Sequence, residues 1–214
     1  MLTRLLIAIA FVSVVSAASA EETLFKDDFK GKMDSGWKIL REDPKTLLVT
    51  DNGLEIRIEP GNMWGGDNNA KNVLVHPLPA VKDGPVSASV IVSNKPTAQY
   101  EQVDLVWYFD DSNMVKIGLE LVDGQLTLVM GREEKDSTKT LAKIPITATV
   151  QQLRLTVDGN HIKGAYRPDA KGEWLPASAC ELPAKGEAKI SLQAYQGAAD
   201  VEHWAKITNF EITK

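Results

Sequence analysis

The segment Tyr100-Glu101-Gln102-Val103-Asp104-Leu105-Val106-Trp107-Tyr108-Phe109-Asp110 decides the fold, because its apolar residues recur at every second position. Successive side chains on a strand point to opposite sides of the sheet. Val103, Leu105, Trp107 and Phe109 therefore make one apolar face, and Tyr100, Gln102, Asp104 and Tyr108 make the other, broken only by Val106. The alternation continues outward from this run. Val115, Ile117, Leu119 and Leu121 face a core, with Lys116, Gly118 and Glu120 opposite. Leu126, Leu128 and Met130 likewise oppose Thr127, Val129 and Glu133, while Ala188, Ile190, Leu192 and Ala194 oppose Lys189, Ser191, Gln193 and Tyr195.

Turn dipeptides separate these runs. Asp51-Asn52-Gly53, Asp83-Gly84-Pro85, Asp123-Gly124 and Asp158-Gly159-Asn160 each stand between β-rich segments, the pattern of hairpins. About a dozen such runs, and no apolar repeat of helical period sustained over three turns, predict an all-β sandwich or barrel. No Gly/Ser-rich or Pro-rich linker and no internal repeat divides the chain, so one domain is expected over residues 21–214.

The first twenty residues read differently. Arg4, the apolar run Leu5 to Val15 and the ending Ala18-Ser19-Ala20 before Glu21-Glu22 have the three parts of a secretory signal, with cleavage expected after Ala20. The apolar run is too short for the roughly 20 residues of a membrane span. Removing 20 of 214 residues leaves 194 and takes only Arg4 from the charged set. The mature domain then has 23 Lys and Arg against 29 Asp and Glu, about −6.

That balance, with no run of Lys or Arg, argues against a nucleic-acid partner. The single Cys180 excludes an internal disulfide, lacks zinc spacing and reads as a small buried hydrophobe. No Asn-x-Ser/Thr acceptor is present, so a bacterial exported protein, secreted or periplasmic, is the simpler expectation. The oligomeric state stays open.

The polar face of the central sheet carries Tyr100, Tyr108 and Tyr195 beside Gln102, Asp104, Lys116, Glu120, Glu133 and Gln193. Rings suit the C–H face of a sugar, and amides, carboxylates and ammonium groups suit its hydroxyl fringe. Cross-strand ion pairs, with tyrosines covering a neighbouring loop, would give the same composition for stability alone.

Several segments carry a resemblance. Leu24-Phe25-Lys26-Asp27-Asp28-Phe29, Ser35-Gly36-Trp37-Lys38-Ile39, Glu59-Pro60-Gly61-Asn62-Met63-Trp64, Tyr108 to Lys116 and the ending Ile207-Thr208-Asn209-Phe210-Glu211-Ile212 resemble a concanavalin A-like lectin/glucanase domain. They look most like the domain of unknown function numbered 1349, a relative of the C-terminal domain of family 43 β-xylosidases. The resemblance implies a jelly-roll of two antiparallel sheets with sugar binding or glycoside hydrolysis on the concave face. It matches Tyr100, Gln102, Lys116 and Glu120, and departs at Asp104, where relatives usually have Gly.

The Glu-x-Asp-x-x-Glu motif of retaining glycosidases in that superfamily, which sets two carboxylates about 5 Å apart, is absent. Asp104 with Glu120 across neighbouring strands is the remaining carboxylate pair. Lys116 and Glu120 share a face but stand about 13 Å apart by strand rise, which excludes them as an acid–base pair. His76, His161 and His203 are scattered and read as surface or turn histidines. No cofactor is expected beyond a structural Ca²⁺, implied by the superfamily, for which Asp27 and Asp28 are candidates; Asp110, Asp111 and Asn113 also offer oxygens. Trp64, in the Gly-rich stretch Gly61 to Asn69, is either a lid over the groove or a plug on the sandwich edge.

The reading that follows is a secreted, non-catalytic carbohydrate-binding domain. Its alternatives are a glycoside-acting hydrolase using Asp104 and Glu120, and a periplasmic structural or interaction domain.

Overall fold

The computed structural model describes residues 21–79, 84–168 and 172–214. The expected signal segment 1–20 lies outside them, as does Asp83 of the second turn. Fifteen strands are present among the described residues. The first five are β1 (Thr23–Asp27), β2 (Lys38–Leu40), β3 (Leu47–Thr50), β4 (Gly53–Arg57) and β5 (Val73–Pro77). The middle five are β6 (Val86–Ser93), β7 (Gln102–Asp110), β8 (Asn113–Val122), β9 (Gln125–Glu134) and β10 (Ser137–Pro145). The last are β11 (Val150–Asp158), β12 (His161–Arg167), β13 (Leu175–Glu181), β14 (Lys189–Tyr195) and β15 (Trp204–Thr213).

They form two antiparallel sheets: the alternation predicts a sandwich or barrel, and the resemblance implies this jelly-roll arrangement. One runs β10-β9-β8-β7-β14-β5-β2; the other runs β13-β12-β11-β6-β15-β4-β3, with β1 pairing β15. The bulge between Thr208 and Glu211, with Asn209 in the left-handed region at φ 52°, lets β15 pair with β4 on one side of the kink and with β1 on the other. Asp123 (φ 51°) and Gly124 (φ 76°) close the β8–β9 hairpin with two positive φ values, as an Asp-Gly turn of this type requires.

The alternation assigns the interior correctly except at Leu121, near the end of β8, which is only partly buried while its neighbour Val122 is buried. Val103, Leu105, Trp107 and Phe109 of β7, with Val115, Ile117 and Leu119 of β8, pack in the same buried core as Val90 and Val92 of β6 and Leu153 and Leu155 of β11. Full burial of a large aliphatic side chain contributes about 1.5–3 kcal/mol, so this layer holds the sandwich without any disulfide.

Two expectations need correction. His76 is buried rather than superficial: β5 lies between β14 and β2, and its imidazole stacks on Phe25 at 4.0 Å with Trp37 at its edge. Burial, partly offset by the Pro77 carbonyl, lowers its pKa. Cys180 is only partly buried, because β13 is an edge strand, and burial raises its thiol pKa to about 11.

Candidate functional site

The outer face of the β7–β8–β9 sheet gathers its polar residues by register. Gln102 faces Glu120, Asp104 faces Gly118 and Val106 faces Lys116 across β7 and β8; Gln193 and Tyr195 of β14 face Asp104 and Gln102. Residues that alternation put on one face are thus brought side by side by the strand pairing.

Most of this face is covered. Residues 61–70 fold back across the sheet, and Met63 and Ala70 pack with Val73, Val75, Val106, Tyr108, Met114 and Tyr195 in a second apolar cluster. Asn62 knots the segment. Its side-chain oxygen accepts from the Met63 and Trp64 amides at 2.9 and 3.0 Å and from Gln196 Nε2 at 3.0 Å, while its amide nitrogen donates to the Trp64 carbonyl at 2.8 Å. The Gly65 amide donates to Glu133 Oε2 at 3.0 Å. Trp64 is thus a fixed wall, and its indole lies where a Cβ on Gly131 would stand, 2.5 Å from its nearest ring atom.

What stays open is a cleft of about 340 Å³ lined by Trp64, Tyr100, Gln102, Lys116, Glu120, Val129, Thr140, Lys143 and Gln196. Five nominated residues, Trp64, Tyr100, Gln102, Lys116 and Glu120, line it. Asp104, Glu133, Gln193 and Tyr195 are fully buried and do not line it, Glu133 and Tyr195 being in contact with the covering segment. Tyr108 is further removed: its ring joins the second cluster and its hydroxyl donates to Asp111 at 2.7 Å, which together with burial raises its pKa.

Lys116 is the centre of the floor. Its ammonium donates to Gln102 Oε1, lies 3.4 Å from the Tyr195 hydroxyl, and sits 3.5 Å from Glu120 Oε2 and 3.7 Å from Asp104 Oδ2. The Trp64 ring covers it at 4.9 Å, within cation–π range. The 13 Å of backbone between Lys116 and Glu120 is thus spanned by the side chains, correcting the expectation that they stand apart. Asp104 and Glu120 do share a face, but both address this ammonium.

The deep carboxyls are electrostatically unusual. Both oxygens of Asp104, Glu133 Oε1 and Gln193 Oε1 are buried with no hydrogen-bond partner among the described residues. Burial pushes the Asp104 pKa up to about 6, with the Lys116 ammonium pulling it back and Glu120 adding to the rise. Burial likewise pushes Glu133 up to about 7, against the Gly65 amide. The Tyr195 phenol is raised well above its usual range by burial and by the Asp104 charge.

The rim is held by backbone in the left-handed region at two residues that are not glycine, Tyr100 (φ 66°) and Gln196 (φ 61°). Behind Tyr100, the buried Glu101 accepts from the Thr97 amide at 2.8 Å, the Thr97 hydroxyl at 2.9 Å and the Ala98 amide at 3.1 Å, and pairs with His203 Nδ1. His203 is therefore a brace for this turn, not a free turn histidine. His161 does lie on the surface, 3.4 Å from Glu181.

Sequence reading misses Thr140, Lys143 and Gln196. Thr140 pairs with Gly131 and Lys143 with Val129, and a bulge between Thr140 and Ala142 puts both on the cleft side although they are three residues apart. No alternation rule finds such a pair. Asp27 and Asp28 lie apart from the cleft: Asp27 accepts from the Phe29 and Asp34 amides and the Trp37 indole at 2.8, 2.9 and 3.1 Å, and Asp28 from the Lys30 amide at 3.0 Å. Among the described residues no group of three or more His, Cys, Asp or Glu could hold a metal ion. A larger hollow of about 590 Å³ lies on the other sheet, beside Thr156, His161, Lys163 and Ala179. It lacks the convergence of aromatic and buried polar groups that marks a ligand site.

No protein-family model and no curated protein matches the sequence. The narrower resemblance to the domain numbered 1349 thus gains no family match. Solved structures do match. The GH43 protein BlXynB from Bacillus licheniformis superimposes with a TM-score of 0.76 at 19% identity over 88% of this chain, which spans only 39% of that protein. A functionally unknown protein from Saccharomyces cerevisiae gives 0.66 at 18% identity, over 84% of this chain and 96% of its own. The carbohydrate-binding module CBM66 from Bacillus subtilis gives 0.55 at 11% identity, again over 84% and 96%. What this chain has in common with these proteins, at such identities, is the β-sandwich fold of the concanavalin A-like type.

Proposed function

We propose that the protein is an exported, non-catalytic carbohydrate-binding domain that receives a short saccharide or a chain end in the cleft between Trp64 and Tyr100. The observation that carries this reading is the cleft's composition. An indole and a phenol flank a floor with amide and carboxylate groups, apolar and hydrogen-bonding surfaces that match the C–H face and the hydroxyl fringe of a sugar ring. The covering segment 61–70 shortens what would be a long groove, which favours a chain end over the middle of a polymer. The CBM66 neighbour, similar in extent, supports the ligand class by analogy of fold alone.

Titration calorimetry against neutral plant and microbial oligosaccharides tests the reading. Binding is expected, and Tyr100→Ala or Gln102→Ala should weaken it by roughly tenfold or more, the equivalent of one good contact. Absence of binding across the panel, or binding indifferent to both substitutions, contradicts it.

A further inference from the structure

We infer that Asp104 sets the charge preference of the cleft: by holding the Lys116 ammonium in the floor, it makes the site accept neutral saccharides and discriminate against acidic ones. This rests on the reading of the cleft as a saccharide site and adds a residue that does not itself line it.

The geometry is specific. Asp104 is buried behind the cleft wall, where a Cβ on Gly118 would fall 1.8 Å from its Oδ1; only glycine at that cross-strand position leaves room for the carboxyl. From there its other oxygen stands 3.7 Å from Lys116 Nζ. A lysine ammonium has three donors and no acceptor. Here its surroundings are Gln102 Oε1, the Tyr195 hydroxyl, and the Glu120 and Asp104 carboxylates, all protein groups, with the Trp64 ring over it. The ammonium is therefore turned into the floor and offers the cleft no free donor.

The charge balance follows. Two carboxylates address one ammonium at the floor, and Glu120 is the one that reaches the cleft wall. The other cation of the wall, Lys143, is exposed on β10 and is screened by solvent and salt. A uronate carboxylate entering beside Glu120 meets like charge, with only the solvent-screened Lys143 to offset it. A neutral hydroxyl meets acceptors without that penalty. Removing the charge of Asp104 leaves Lys116 with a single carboxylate and raises the net charge of the site by one.

The test measures a ratio. The affinities of the purified protein for xylohexaose and cellohexaose are compared with that for hexagalacturonate, in wild type, Asp104→Asn and Glu120→Gln. Wild type should prefer a neutral ligand by roughly tenfold or more, and Asp104→Asn should move the ratio toward the uronate by roughly tenfold, with the gained uronate binding weakening as salt is raised. Glu120→Gln should move it in the same direction, which keeps the inference testable if Asp104→Asn fails to fold. Loss of affinity for all ligands in proportion, with the ratio fixed in every folded variant, would mean that Asp104 only supports the floor and overturns the inference while leaving the saccharide reading in place. A wild-type preference for the uronate also overturns it. No binding of any of the three ligands by wild type or variants overturns this inference and counts against the saccharide reading together.

Discussion

Asp104 and Gly118 share one space: the carboxyl of the first lies 1.8 Å from where a Cβ on the second would stand. They are directly paired across β7 and β8. A methyl at residue 118 would also approach the Val103 carbonyl oxygen to 2.4 Å. The pair is thus a single packing unit, and changes at one residue are felt at the other.

Gly118→Ala should destabilise the protein by about 1–3 kcal/mol, the usual cost of overpacking. Asp104→Gly should recover part of that loss when combined with it, because it vacates the shared space; the Val103 carbonyl accounts for the remainder. Urea unfolding of the two single variants and the double variant measures the coupling. Strict additivity would show that the two sites do not compete for space.

Lys116→Met removes the one ammonium at a floor that holds Asp104, Glu120 and Glu133. Leaving buried charges without their partner typically costs about 3–5 kcal/mol, and a loss near that size is expected by chemical denaturation. A loss below about 1 kcal/mol would show that the carboxyls simply take up protons without consequence.

The raised carboxyls give a pH dependence with a definite sign. Glu133 moves from 4.5 to about 7 on folding and Asp104 from 3.8 to about 6, so the folded protein holds more protons across that interval. Stability from these groups is complete below the lower values and is lost as pH rises through the higher ones. Glu133→Gln should therefore flatten the decline in Tm between about pH 5 and pH 8. The difference expected is at least about 2–4 °C, the shift that one kcal/mol produces in a chain of this size. An unchanged slope in the variant would show that Glu133 titrates normally.

Trp64→Ala removes a half-buried ring that rests on Gly131 and covers Lys116. Because the ring is only partly enclosed, the stability loss should fall below the 3–5 kcal/mol typical of a buried Trp, at about 1–3 kcal/mol. Saccharide affinity should fall by roughly tenfold or more. A folded variant with wild-type affinity would remove Trp64 from the site.

The sandwich was legible because burial imposes a period of two on β7, β8 and β14, and Val103, Leu105, Ile117 and Leu192 obey it. Gln102, Lys116 and Glu120 were legible for the same reason, whereas Tyr100 precedes β7 in a left-handed turn that the alternation does not describe. The cover was not: residues 61–70 have no period, and nothing local states that Met63 will bury itself against Tyr195. Thr140 and Lys143 escaped because a bulge resets the alternation, and His203 because its partner Glu101 stands far away in the chain. The 13 Å rule for Lys116 and Glu120 failed because it counts backbone rise and ignores the reach of two long side chains.

The central claim is tested most directly by a crystal structure of the protein with a bound neutral oligosaccharide, chosen as the tightest ligand in calorimetry. The account predicts a sugar ring between Trp64 and Tyr100, with hydroxyls in hydrogen-bond reach of Gln102 and Glu120. A saccharide seated on the opposite sheet beside Thr156 and Lys163, with the cleft empty, would contradict it.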